Sequence, residues 1–393
     1  MAAAAANRES LAELEVAIVH YWFLTWRGGE KVVESLMQLF PKADIYTLFY
    51  DPETCGEHLA GHQIYTSKID TPFYKKNHQK FFPLYASGVE SLKLQKKYDL
   101  ILSSESGPAK GINRGPLNGD TPHVCYTHSP MRYCYGFEEI YTEKLPFLIR
   151  PIVSNQLARL RRWDMAKVDN VDLYIANSVN VQKRIKKYWD KDSLVAYPPI
   201  AMELFENDLQ QGAKNYETKE YYLSFGAITP YKKVDLLVEV FNKSGKKLVI
   251  IGNGSEKSRL EKIAKDNITF CGFQSDAEVQ KWLHGAKALL FPGEEDFGMI
   301  PLEAMSQGLP VIAYGAGGAL ETVVENRSSP DKSSGIFFTK QRDRELAGAI
   351  SDFEKIEKHF EPEWIRSHAR GFAEDVFLRK ISGKIYNFIE DQK

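Results

Sequence analysis

Two glutamates set eight residues apart around a glycine turn have the types and spacing to do chemistry: Glu295 and Glu303, in Phe291-Pro292-Gly293-Glu294-Glu295-Asp296-Phe297-Gly298-Met299-Ile300-Pro301-Leu302-Glu303. The run Ala288-Leu289-Leu290-Phe291 reads as a short buried strand, Pro292-Gly293 ends it, and Ile300 to Gln307 reads as a helix closed by Gly308. Ligands of open α/β sheets sit beyond the carboxyl ends of strands, where the free N–H groups of a helix N-terminus suit phosphate oxygens. Gly298 and its neighbours Phe297, Met299 and Ile300 are therefore the expected phosphate-side contacts. Two carboxylates turned toward a phosphate would repel it, so Glu295 and Glu303 are better suited to accept hydrogen bonds from the hydroxyls of a sugar and a ribose. The ligand class this implies is a nucleotide sugar. Solvated charges favoured by the helix macrodipole would explain an isolated Glu-x7-Glu equally well, and the rest of the chain has to decide.

When a nucleoside diphosphate departs, negative charge grows on its β-phosphate, and a fixed cation aimed there lowers the barrier by several kcal/mol. Lys232, with Lys233 beside it, stands where the strand Tyr221 to Phe225 gives way to a helix starting near Val234. A basic helix start is disfavoured by the dipole unless an anion binds there, which makes Lys232 the candidate catalytic cation. His128 follows the strand His123 to Tyr126 and precedes Ser129-Pro130, so it falls at a strand end. Gly28 and Gly29 permit close backbone approach in the first half, a plain tight turn being the alternative. With no paired His/Asp cluster suited to Mg²⁺ or Mn²⁺, metal-independent catalysis is expected.

These residues need parallel sheets to position them. Val16 to Tyr21 is a β-branched run followed by Arg27-Gly28-Gly29 and a helical pattern from Lys31 to Phe40; further strands are expected at Ile45 to Phe49, Leu100 to Ser103, His123 to Tyr126, Leu173 to Ala176 and Leu194 to Ala196. The pattern pauses at Pro198-Pro199, runs through a polar stretch from Asn207 to Lys219, and restarts with Tyr221 to Phe225, Lys247 to Ile251, Ile268 to Phe270, Ala288 to Phe291 and Val311 to Ala313. Strands alternating with helices imply parallel sheets, and 393 residues suit two domains. Two such domains on one linker imply a cleft with the carboxyl ends of both sheets facing it. A formal net charge of -1 gives no nucleic-acid footprint. Cys55, Cys125, Cys134 and Cys271 lack CxxC spacing, which suits reduced thiols in a cytosol and no structural zinc. Met1 to Arg8 reads as a disordered lead-in, and no window reaches the ~18 apolar residues of a membrane span.

The run from Glu295 through Glu303-Ala304-Met305-Ser306-Gln307-Gly308-Leu309-Pro310-Val311 to Gly315-Ala316-Gly317-Gly318 resembles the donor site of retaining glycosyltransferases of the GT-B fold, family four. The match extends upstream, in that family's order, to Ser224-Phe225-Gly226-Ala227-Ile228-Thr229-Pro230-Tyr231-Lys232-Lys233, Ile251-Gly252-Asn253-Gly254 and Phe270-Cys271-Gly272-Phe273. In the first half, His20-Tyr21-Trp22 to Gly28-Gly29-Glu30-Lys31 and Tyr126-Thr127-His128-Ser129-Pro130-Met131-Arg132-Tyr133 look like the GDP-mannose-dependent mannosyltransferase subgroup. The resemblance implies an α/β GT-B fold: two Rossmann-like doubly wound domains facing across a cleft. An acceptor-binding domain at 1–200, with 372–393 crossing back onto it, precedes a donor-binding domain at 201–371. It implies His128, Lys232 and Glu295 as the catalytic group, His128 lying beside the transferred sugar, and Phe273 as the nucleobase contact. Transfer would retain anomeric configuration, the departing phosphate helping to deprotonate the acceptor. The family's commonest pattern has Gly-Arg where this chain has Gly226-Ala227, so a phosphate-clamping arginine is missing and Lys233 or Arg132 is the expected replacement.

Phe73-Tyr74-Lys75-Lys76 through Tyr85, and Leu157 to Trp163, blend aromatic and basic residues in a way that suits an anionic lipid surface. The expected activity is mannosyl transfer from GDP-mannose to a glycan or lipid-linked glycan acceptor in surface polysaccharide or glycolipid synthesis, in the cytoplasm or on the membrane's cytoplasmic face. The rival readings are transfer from a UDP-hexose and, in another class, a non-catalytic nucleotide-sugar-binding scaffold.

Overall fold

The computed structural model describes residues 2–143, 145–201 and 220–392. The polar stretch Asn207 to Lys219 lies outside them. The chain divides into two units, Met1–Pro199 with Asp375–Lys393, and Ile200–Glu374.

Among the described residues the first unit holds a seven-stranded sheet of β1 (Val16–His20), β2 (Asp44–Thr47), β3 (Ile64–Thr66), β4 (Leu100–Glu105), β5 (His123–Thr127), β6 (Leu173–Ala176) and β7 (Leu194–Val195). Its order is β3-β2-β1-β4-β5-β6-β7, with every pairing parallel. Both faces are covered, so β1, β2, β4 and β5 are buried along their whole length. The two-residue period of a strand sorts β1 between two cores: Val16 and Ile18 join one, Ala17 and Val19 the other. The terminal helix Glu374–Asp391 sends Phe377, Ile381 and Ile385, spaced by fours, into the core of Val16 and Ile18. Each such side chain contributes about 1.5–3 kcal/mol by burial, which fastens this end of the chain to the first unit.

The second unit holds a six-stranded parallel sheet of β8 (Tyr221–Phe225), β9 (Leu248–Ile251), β10 (Ile268–Gly272), β11 (Ala286–Phe291), β12 (Val311–Tyr314) and β13 (Gly335–Phe338), again among the described residues. Its order, β10-β9-β8-β11-β12-β13, turns back between β8 and β11, as the first sheet does between β1 and β4. In a doubly wound sheet such a switch point is where a crevice forms between diverging loops.

Several local expectations need correction. Ala2–Ala12 is a helix rather than a disordered lead-in: alanine is the best helix former, and Leu11 is buried in the first core. Gly28 and Gly29 do not form a separate tight turn but open the helix Gly28–Met37. Two edge strands escaped the sequence pattern, β3 because it is three partly exposed residues and β13 because it follows Ser333-Ser334 and begins with glycine.

Candidate functional site

In the second unit the expected residues gather at the switch point. β8 runs into Gly226 to Lys233 and β11 into Pro292 to Gly298, and a small cavity between these loops is lined by Phe225, Gly226, Ala227, Lys232, Pro292 and Glu295, among others. Lys232 Nζ donates to Glu295 Oε1, the two side chains being 15% and 19% exposed. Water is mostly excluded, yet a ligand can reach both. The loops approach closely through glycine: a Cβ on Gly318 would stand 2.1 Å from Phe297 Cα, and one on Gly252 (φ 129°) would stand 1.9 Å from Gly226 O. Gly318 N–H also donates to the Glu295 carbonyl at 2.8 Å, so Glu295 is held at its backbone by the loop after β12 and at its carboxylate by Lys232.

The helices that begin here have no side-chain cap. Val234–Ser244 starts from Lys233 in the left-handed region (φ 55°), and Met299–Ser306 starts from Gly298 (φ 93°). For lysine that conformation costs about 1–2 kcal/mol. Away from the site, Ser275 caps Asp276–Gly285 in the ordinary way. The first four N–H groups of a helix lack intrahelical partners, and without a cap they suit an anion. Pro301 has no N–H, so Gly298, Met299 and Ile300 supply the first-turn amides. Ile300 also packs against the loop after β8, its Cδ1 lying 2.8 Å from where a Gly226 Cβ would be. Glu303 is half-buried one turn further along that helix. The Phe297 ring is buried against Phe372. Phe273 follows β10 and is exposed, free to stack on a base. Ala227 sits in the cavity wall.

In the first unit, His128 leaves β5 with its backbone N–H bonded to Glu105 O at 2.7 Å. Its half-buried ring places Nε2 at 2.8 Å from Ser104 Oγ on β4, and burial pulls its pKa down to about 4. Gly29 lies over the end of β1, where a Cβ would stand 2.9 Å from Tyr21 Oη and 3.6 Å from His20 Cε1. Glu30, buried, accepts the Arg27 N–H at 3.2 Å, and burial pushes its carboxyl up to about 7. Arg132 stacks on Phe137, 4.4 Å from its centre. Beneath His128 a sealed ion network pairs the Lys110 amine with Glu105 and Asp164, all fully buried, while Tyr135 and Trp189 donate to Asp164 at 2.6 and 3.0 Å. Ser104 and Lys110 carried no signal in the sequence, because the contacts that define them run between strands and helices distant along the chain.

Residues 205–367 match the family model described as Glycosyl transferases group 1. Over 84% of its length the chain is 23% identical to the O-antigen chain mannosyltransferase C of Escherichia coli, 86% of which is covered. Over a similar 84% it is 25% identical to the alpha-1,3/1,6-mannosyltransferase of Saccharomyces cerevisiae, 75% of which is covered. Among solved structures it resembles HepE of Anabaena in complex with UDP, with a TM-score of 0.66 at 16% identity over 95% of this chain and 100% of that one. Two doubly wound parallel sheets with such a neighbour make the fold GT-B, and the second unit of the chain is a glycosyl transferases group 1 domain.

Proposed function

We propose that the protein is a retaining mannosyltransferase that moves mannose from GDP-mannose to a glycan or lipid-linked glycan acceptor without a metal ion. The observation that carries this reading is the Lys232–Glu295 pair at a switch point, flanked by two helix starts without side-chain caps. A diphosphate at those helix starts meets backbone amides and the Lys232 ammonium, which hold the charge that develops as GDP leaves. As Lys232 turns partly toward the arriving phosphate, Glu295 accepts hydrogen bonds from the sugar, and Glu303 does the same for the ribose. Lys233 stands in for the arginine that Ala227 replaces, and Phe273 offers a ring to the base. His128, neutral at pH 7, meets a sugar hydroxyl. Both curated relatives are named as mannosyltransferases, which supports mannose. The neighbour's bound UDP favours the rival, a UDP-hexose donor.

Calorimetric titration with GDP, UDP and their mannose and glucose conjugates, without divalent metal, separates these. Selective GDP and GDP-mannose binding is expected; selective UDP binding transfers the reading to the rival, and no nucleotide binding revives a non-catalytic scaffold. Proton NMR of the first-formed product tests retention, an inverted anomeric centre being the result that refutes it.

A lipid-linked acceptor is supported by the surface of the first unit. Leu157 and Leu160 of the expected basic-aromatic segment are core residues, but just before them Phe147, Leu148 and Ile152 are 75%, 70% and 62% exposed. Exposed Arg159 and Arg162 follow on the helix Arg150–Ala166. Ring contacts from Phe82 through Tyr133 to Tyr141 link this face with the segment carrying exposed Phe73, Lys76 and Lys80. No helix among the described residues is long and apolar enough to cross a membrane, so contact would be interfacial, with each cation adding about 1 kcal/mol at an anionic leaflet. Sedimentation with anionic phospholipid vesicles at low salt should carry the protein down; failure to do so refutes this part of the reading.

A further inference from the structure

Two histidines of the first unit share one hydroxyl. Ser104 Oγ lies 3.0 Å from His20 Nδ1 and 2.8 Å from His128 Nε2. His20 ends β1, Ser104 is its register partner on β4, and His128 follows β5, so the chain of bonds crosses three adjacent strands at the switch point. His20 is buried, and its Nε2 has no hydrogen-bond partner among the described residues. Gly29 lies over that edge of the ring, with room there for hydrogen but not for a side chain against Tyr21 Oη.

Proton counting then fixes the direction of the bonds. A serine hydroxyl has one hydrogen to donate and two lone pairs to accept with. If Ser104 donated to His20 Nδ1, the His20 proton would sit on Nε2, as a buried N–H with no acceptor. If Ser104 instead accepts from His20 Nδ1–H, the orphan atom is a lone pair, and buried orphan N–H groups are the rarer and costlier case. Accepting from both rings would leave the Ser104 hydrogen without an acceptor among the described residues, so that hydrogen goes to His128 Nε2 and the His128 proton lies on Nδ1, which makes no hydrogen bond among the described residues. Burial depresses the pKa of both rings, that of His20 well below the usual imidazole range, so neither takes a second proton near pH 7.

We propose that His20 is a positioning residue which, through Ser104, holds His128 as the neutral Nδ1–H tautomer, so that His128 presents a hydrogen-bond donor to the substrate and not a base. This rests on the reading of His128 as the residue beside the transferred sugar, but the tautomer itself can be measured without any substrate. The full-length protein labelled with ¹⁵N-histidine, observed by long-range ¹H–¹⁵N correlation at pH 7, reports it directly, with His128→Asn assigning the signal. Wild type should show His128 protonated on Nδ1. His20→Phe, and Ser104→Ala should the buried ring not tolerate replacement, should turn that signal into a tautomer mixture. The same variants should lower kcat about tenfold or more with little change in donor KM, the scale seen when a histidine loses the partner that orients it. His20→Asn, whose amide can stand where Nδ1–H stood, should restore both. An Nε2–H signal in wild type, or an unchanged Nδ1–H signal in both disrupting variants, overturns the proposal. Absence of sugar transfer would refute the proposed function and leave the tautomer to be decided by the spectrum.

Discussion

Lys232→Ala is the perturbation that most directly tests the donor site. Lys232 and Glu295 form a pair with side chains 15% and 19% exposed, so losing it falls between the ~1 kcal/mol of exposed pairs and the ~3–5 kcal/mol of buried ones. Each kcal/mol lost should lower the melting temperature by about 2–4 °C in a unit of this size. Catalysis should suffer as well. Removing one preorganised group that meets developing negative charge costs about 10²–10³ in kcat, or about 3–4 kcal/mol, and in this case an uncompensated carboxylate remains beside the diphosphate. The second effect can be isolated. Glu295→Gln removes the carboxylate charge, so if Lys232 served only to neutralise Glu295, the double variant Lys232→Ala/Glu295→Gln would recover activity relative to Lys232→Ala. If Lys232 acts on the leaving phosphate, the double variant stays as slow as Lys232→Ala or slower. Initial rates of nucleoside diphosphate release at saturating donor, with urea unfolding to confirm the fold, decide it. A Lys232→Ala enzyme within tenfold of wild type, or one rescued by Glu295→Gln, refutes the assignment.

Three further outcomes are expected. Gly318→Ala forces a Cβ against Phe297 Cα and should cost about 3 kcal/mol, the upper end for overpacking, read as a lowered urea midpoint together with weakened nucleotide binding by calorimetry. Lys110→Met leaves Glu105 and Asp164 buried without their cation and should destabilise the protein by about 3–5 kcal/mol, measured by urea unfolding at pH 7. His123, with Nδ1 and Nε2 bonded at 2.9 Å to Asn170 O and Ser103 Oγ, is held by burial at a pKa of about 3. The unfolded chain therefore binds a proton that the folded one refuses as pH falls below the ordinary value near 6.5, and stability is lost in that direction by up to about 1.4 kcal/mol per pH unit. His123→Gln should flatten the acid limb of urea stability between pH 6.5 and 4, and an unchanged slope refutes the attribution.

The fold was legible where strands are buried on both faces. β1 and the start of β4 are β-branched and aliphatic runs, β8 and β11 are largely apolar runs closed by Gly226 and Pro292, and such runs announce themselves. The edges were not legible, since Ile64–Thr66 is short and partly exposed and Gly335–Phe338 hides behind serines. The turn positions of the site could be read for the same reason as the inner strands: Lys232 and Glu295 follow β8 and β11. Their pairing could not be read, because 63 residues separate them, and only the sheet order, which places β11 next to β8, brings them into contact. Ser104 was invisible for a related reason. It is one serine in a strand, and its role comes from the parallel register that sets it beside His20.

The two switch points have the same topology and different electrostatics. In the second unit the two helix starts at the switch point have no side-chain caps, and Lys232, paired with Glu295, lines the cavity, an arrangement whose helix amides suit an anion. In the first unit the helix start covers His20, Glu30 binds back onto the Arg27 amide, and burial works against ionisation: it depresses His20 and His128 and raises Glu30 and Glu105. A switch point of that kind has little to offer a phosphate but suits neutral hydroxyls met by donors of fixed orientation. Under the proposed function the two requirements of glycosyl transfer, a place for a departing diphosphate and a place for sugar hydroxyls, are met by separate copies of one architecture. They differ because the second unit leaves the helix amides at its switch point without side-chain caps and the first covers its switch point with a glycine and its own carboxylate.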